Sequence, residues 1–155
     1  MSAIDYTNLQ RAIVKHMADN VTAEVDIGQP MVFTPEDQPY WYALEVQSVT
    51  DNPSREYPRN GNITVRVMCR VALRSNVYAI TTFASEVTEH LNRAYIPVYD
   101  YEANAESGVS VGSIQMREPT MSRPTVGETW QEITVTVQGR WQMDRGSTLQ
   151  TLPLS

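Results

Sequence analysis

The sequence predicts an α+β domain, a largely antiparallel β-sheet with two helices packed on one face. Three observations predict it. Residues 63–73 alternate apolar and polar without interruption, which is the two-residue period of a half-buried strand. Two other stretches, residues 4–18 and one ending near Arg93, carry apolar residues at three- and four-residue spacing, the helical period. The predicted order is helix, short strand, strand, strand, helix, strand, strand, so strands dominate and the helices are too few to cover both faces of a parallel sheet.

The first helix is predicted over residues 4–18, where Ile4, Leu9, Ala12, Ile13 and Met17 share a stripe. Asp5 lies near its positive end, and Lys15 and His16 lie near the other. Val21, Ala23, Val25 and Ile27 share a parity in a short strand that Gly28 and Pro30 break. Residues 40–49 are aromatic and β-branched, as suits a pleated surface. Two prolines, an Asn-Gly pair and four charges make residues 50–62 a surface loop or a projecting hairpin tip. In the next strand, Ile63, Val65, Val67, Cys69, Val71 and Leu73 face one way. Thr64, Arg66, Met68, Arg70, Ala72 and Arg74 face the other. After Ser75-Asn76 comes the second helix, with the stripe Ile80, Phe83, Ala84, Val87 and Leu91. Pro97 and the acidic Asp100, Glu102 and Glu106 mark residues 95–108 as irregular. Residues 109–117 alternate weakly and read as a strand, and residues 118–128 as a loop. The last strand is residues 130–142, with Ile133, Val135, Val137, Gly139 and Trp141 on one side. One domain thus spans residues 1–143, and residues 144–155 form an extended tail.

Composition sets bounds. A chain of 155 residues is one ordinary domain and buries roughly 68–70% of its unfolded surface. Hydrophobic residues make up 41% and charged residues 19%, a globular balance. A net charge of −6 argues against a dedicated nucleic-acid binder, whose affinity comes from Lys and Arg on phosphates. Lys15 is the single lysine beside 11 arginines, and arginine forks suit fixed pairing with carboxylates. The lone cysteine, Cys69, forms no internal disulfide and fits a reducing compartment. No secretory leader and no membrane-spanning apolar run is expected.

Chemistry-bearing patterns are sparse. His16 and His90 fall on surface or rim positions of the helices, without a nucleophile beside them. Cys69 sits on the apolar parity, where a buried, inert thiol is expected. Three Cys and His residues, widely separated, do not make a zinc site. The acidic residues 100, 102 and 106 lack the spacing and the glycine of a calcium loop. No catalytic, cofactor-binding or metal-ligating residue is assigned, and no enzymatic activity is expected.

Three features call for a partner. Tyr40, Trp41 and Tyr42 are bulky on both parities, so this strand is buried on both faces or meets a neighbouring subunit. Arg66, Arg70 and Arg74 lie about 7 Å apart along one strand face. They form a basic rail for an acidic subunit or passage, or a solvated face interleaved with acidic neighbours. The proline-bearing loop brings Arg55, Tyr57 and Arg59 as further interface candidates. A nucleic-acid module with Tyr40 and Trp41 as stacking platforms, and a small hydrolase using His16 or His90, are the competing classes.

The order of elements carries a resemblance. It rests on Leu9 to Met17, on Gly61-Asn62-Ile63-Thr64-Val65-Arg66-Val67, on Phe83 to Leu91, and on Glu132 through Trp141. In architecture and patterning over most of its length, the chain resembles the tail terminator (tail-completion) proteins of tailed bacteriophages. The resemblance implies a structural virion protein, assembled in the host cytoplasm, that forms a ring, typically a hexamer. Such a ring caps the tail tube and joins it to the neck. The implied partners are further copies of the chain, the tail tube protein and the neck or connector protein. DNA would be present only in transit through the lumen, and no cofactor or membrane is involved. A head–tail connector or baseplate adaptor is the alternative. The tail past the last strand departs from the pattern.

The facing assignment gives a first prediction. Val67→Asp places a charge among Val65, Cys69 and Val71 and abolishes folding. Arg66→Asp leaves folding intact and alters assembly. Circular dichroism and thermal melts of the two variants check it, and equal behaviour of the two refutes the assignment.

Overall fold

In the computed structural model, which describes residues 6–21, 24–26, 40–51, 60–73, 77–99, 110–127 and 130–143, the alternating segment lies at the centre of the sheet. The elements are α1 (Tyr6–Asn20), β1 (Glu24–Asp26), β2 (Tyr40–Asp51), β3 (Asn60–Ala72), α2 (Val77–Leu91), β4 (Tyr95–Tyr99), β5 (Ser110–Met116), β6 (Thr120–Met121), β7 (Thr125–Val126) and β8 (Trp130–Met143). The sheet order is β1-β2-β3-β8-β5-β4. Every pairing is antiparallel except the parallel contact of β1 with β2. The fold is α+β.

Period decides which side is buried. Ile63, Val65, Val67, Cys69 and Val71 of β3 pack in one core with Ile133, Val135, Val137 and Trp141 of β8. Leu9, Ala12, Ile13 and Met17 of α1 and Ile80, Phe83, Ala84, Val87 and Leu91 of α2 close over the same face. Burying each large aliphatic side chain in such a core contributes about 1.5–3 kcal/mol. His16 links the two helices, its Nε2 lying 2.8 Å from the His90 carbonyl. A carbonyl only accepts, so this nitrogen carries the proton. His16 is therefore a half-buried tie between helices.

Several boundaries differ from the sequence expectation. Residues 95–99 form β4 despite Pro97. Proline lacks an N–H, but β4 ends the sheet order, and an edge strand needs donors on one side only. The expected loop at 118–128 contains β6 and β7, two-residue strands that pair with β8 at Thr136, Val135, Glu132 and Gln131. Together with β5, which pairs with residues 139–143, they cover the outer side of β8 piece by piece. Leu73, expected on the buried parity, is 41% exposed because β3 ends at Ala72. The expected tail, residues 144–155, lies outside the described residues.

The β2–β3 pair extends further than expected. Pairing runs to Asp51 opposite Gly61, into the segment read as a surface loop or a projecting hairpin tip. Trp141 explains this. It pairs with Gly61 across the β3–β8 ladder, and its buried indole Nε1 donates to the Thr50 carbonyl of β2 at 3.0 Å. The ring thus reaches across β3, and Gly61 makes the passage possible. A Cβ at Gly61 would stand 1.8 Å from Thr50 O and 2.6 Å from Trp141 Nε1.

Trp141→Phe, which keeps a ring and loses the donor, is expected to cost about 1–3 kcal/mol. Gly61→Val is expected to cost more, since backbone must move. Urea unfolding of both variants measures the order, and a tolerated Gly61→Val refutes the account.

Candidate assembly interface

The two faces of the sheet carry different chemistry, and strand register dictates it. On the helix-free face, cross-strand rows run Trp41–Arg70–Glu132, then Ala43–Met68–Thr134, then Glu45–Arg66–Thr136. Side chains in such a row stand within reach of one another. Arg70 Nε donates to Glu132 Oε1 at 2.7 Å, and the guanidinium lies 4.4 Å from the Trp130 ring centre. Trp130 meets Trp41 edge to face, with centroids 6.0 Å apart at 89°. This geometry suits aromatic quadrupoles and a cation over a ring.

The basic rail is therefore not a row of free cations. Arg70 is 7% exposed and is a structural residue, neutralised by Glu132. Its Nη1 is buried without a hydrogen-bond partner, so removing Glu132 would leave a charge in the interior. Arg66 lies 3.9 Å from Glu45 with both side chains partly in solvent, a contact of little energetic weight. The reading of a face interleaved with acidic neighbours describes these two arginines. Arg74, Arg55, Tyr57 and Arg59 lie outside the described residues.

The aromatic triplet divides as well. Trp41 and Tyr42 are fully buried, one on each face of β2, so the chain covers both without a neighbour. Tyr40 packs on Phe83 with centroids 5.1 Å apart and keeps 38% of its surface exposed. Leu73 and Tyr78 are exposed at the same end of the domain, where β2 begins and β3 hands over to α2.

Two further features could not be found from sequence. β1 pairs only with Trp41, Tyr42 and Ala43. Beyond Ala43 the outer edge of β2 has no strand beside it among the described residues. A groove of about 460 Å³ lies there, lined by Gln10 of α1 and residues 44–49. Within it the ladder shifts register between Val46 and Ser48, leaving Gln47 as a bulge. A cavity of about 410 Å³ lies at the far end of β2, lined by Thr50, Asp51, Asn60, Gly61, Asn62, Arg117 and Arg140. Among the described residues, no group of three or more His, Cys, Asp and Glu side chains could hold a metal ion. No helix there is long and apolar enough to cross a membrane.

No known protein-family profile matches the chain, and no curated protein matches it. Eighteen chains of solved structures do match. One of them, whose name states neither activity nor partner, superposes with a TM-score of 0.57 at 14% identity, covering 94% of this chain and 100% of that one. At that identity the likeness is one of fold.

Burial pushes the Cys69 thiol up to about 12, with Glu132 adding to the effect. Burial likewise pushes the Tyr42 hydroxyl up to about 12, with Cys69 adding to it. Both groups hold their protons more tightly folded than unfolded. Their contribution is therefore complete below the unfolded values and is lost as pH rises toward 12. Stability is expected to fall with rising pH above about 9, where an unfolded thiol begins to ionise. Urea midpoints between pH 8 and pH 11 measure this, and a flat profile contradicts it. Cys69 should also resist a thiol reagent at pH 8 until the chain is unfolded.

Proposed function

We propose that this chain is a structural assembly protein acting as a ring of identical copies, in the manner of a tail terminator that closes a bacteriophage tail tube and joins it to the neck. The open outer edge of β2 carries the reading. Residues 44–49 line a groove with no strand of the described residues beside them. Such an edge is a ready template for a strand from another chain. Main-chain pairing would supply affinity, and the partly buried Val46 and Val49 would supply an apolar floor.

Ring closure needs two different patches per copy. The exposed Tyr40, Leu73 and Tyr78 lie where β2 begins, and the open edge lies toward its other end. A contact between unlike ends is heterologous, which is what closure requires. The net charge of −6 suits a lumen through which DNA passes without being held. The same surfaces would serve a head–tail connector or baseplate adaptor, and position in a virion density map separates these. A stacking platform for single-stranded nucleic acid fits less well, because Trp41 is enclosed and Arg70 is engaged by Glu132.

Native mass spectrometry and electron microscopy of the purified chain, with and without tail tube protein, test the proposal. Closed rings that stop tube growth are expected. A strict monomer that never engages tubes refutes it. Gln47→Pro removes a main-chain donor at a residue with no partner on β3, a place where proline is tolerated. It is expected to abolish ring formation while the thermal midpoint stays within a few degrees of the unaltered chain.

A further inference from the structure

Beyond the open edge, the cavity at the far end of β2 has a chemistry of its own. Two guanidinium groups line it, those of Arg117 and Arg140. Register puts them diagonally across the β5–β8 pair, on the helix-free face. Arg140 pairs with Asn62 of β3 and with Gln115 of β5, and Arg117 follows Gln115 by two residues, on the same parity. Arg140 Nη2 donates to Asn60 Oδ1 at 3.3 Å, which fixes the fork toward the cavity.

Both arginines are exposed. Among the described residues neither lies within ion-pair distance of a carboxylate, whereas Arg66, Arg70 and Arg93 each have one there. Asp51 also lines the cavity, so its described lining carries two positive charges and one negative. Gly61 contributes main chain alone to the lining. A concave site with two forks and the side-chain amides of Asn60 and Asn62 fits a carboxylate, which two arginines can grip with paired N–H donors.

We infer that this cavity receives a carboxylate from a second copy of the chain, an inference that rests on the proposed ring. The charge balance favours this occupant. Each copy carries 18 acidic side chains against 12 basic ones, so a neighbouring copy presents carboxylates in excess. Position favours it as well: Thr50 and Asp51 belong both to the cavity lining and to the open edge of β2. A copy docked along that edge brings its surface to the two arginines. The pair would orient and select the incoming copy as well as hold it.

The test measures self-association by sedimentation velocity for the full chain, for Arg117→Glu/Arg140→Glu, for Arg117→Gln/Arg140→Gln and for Gln47→Pro. Both arginine double variants are expected to fold with unchanged thermal midpoints. The Glu pair should weaken association at least about tenfold, and the Gln pair should weaken it less. Raising salt from 0.1 to 0.5 M should weaken the unaltered chain and leave the Gln pair nearly unaffected. Unchanged assembly of both double variants, with assembly lost in Gln47→Pro, overturns the cavity inference and leaves the ring standing. A short DNA duplex that binds the full chain and not the double variants, with association unaltered, overturns it in favour of a phosphate. A chain that remains monomeric throughout overturns the ring and the inference together.

Discussion

The pairing of β3 with β8 holds the rest of the structure in place. The whole of β3, Asn60–Ala72, lies antiparallel to β8 from Trp130 to Gln142. This one register fixes three things at once. It aligns the apolar parities of both strands under α1 and α2. It sets Glu132 opposite Arg70 on the other face. It lays Trp141 over Gly61, from where the indole reaches β2. A slip of one residue would invert every side chain on the slipped strand, turning Arg66 inward, parting Arg70 from Glu132 and exposing the core. Such a shift has no compensating arrangement, so the register is strongly specified.

The two faces are stabilised by different means. The helix-covered face relies on apolar burial, in which Tyr42 and Cys69 hold their protons because the surroundings are dry. The other face has no helix over it among the described residues, and Arg70, Glu132, Trp41 and Trp130 form a compact group there instead. A buried ion pair stabilises little in net terms, but breaking one is costly. The pair therefore contributes more to keeping β2, β3 and β8 in one alignment than to overall stability.

Much of this was legible in the chain. The uninterrupted alternation from Ile63 to Val71 named the buried face of β3 residue by residue, and the stripes through Leu9, Ile13 and Met17 and through Ile80, Val87 and Leu91 named the helix faces. Those signals are local. What was not legible depends on register between distant segments. Arg70 and Glu132 are 62 positions apart, so the sequence left open whether Arg70 serves a partner or pairs within its own sheet face. Trp41 and Tyr42 announced bulk on both parities without saying that the chain itself covers them. Pro97 masked β4, because a single sequence does not reveal which strand ends the sheet. β6 and β7 are too short to carry a period. The stretch of β2 without a described strand beside it and the cavity shared by Arg117 and Arg140 emerge only once strand order is known.

Trp141 spans three adjacent strands, anchored in β8, passing over β3 and fastened to β2. A load applied at the Thr50–Asn62 end of the β2–β3 pair is thus shared with the central ladder through this hydrogen bond. Mechanically the hairpin is a stiff lever rooted in the core. Whatever grips its end pulls on the whole domain as one body.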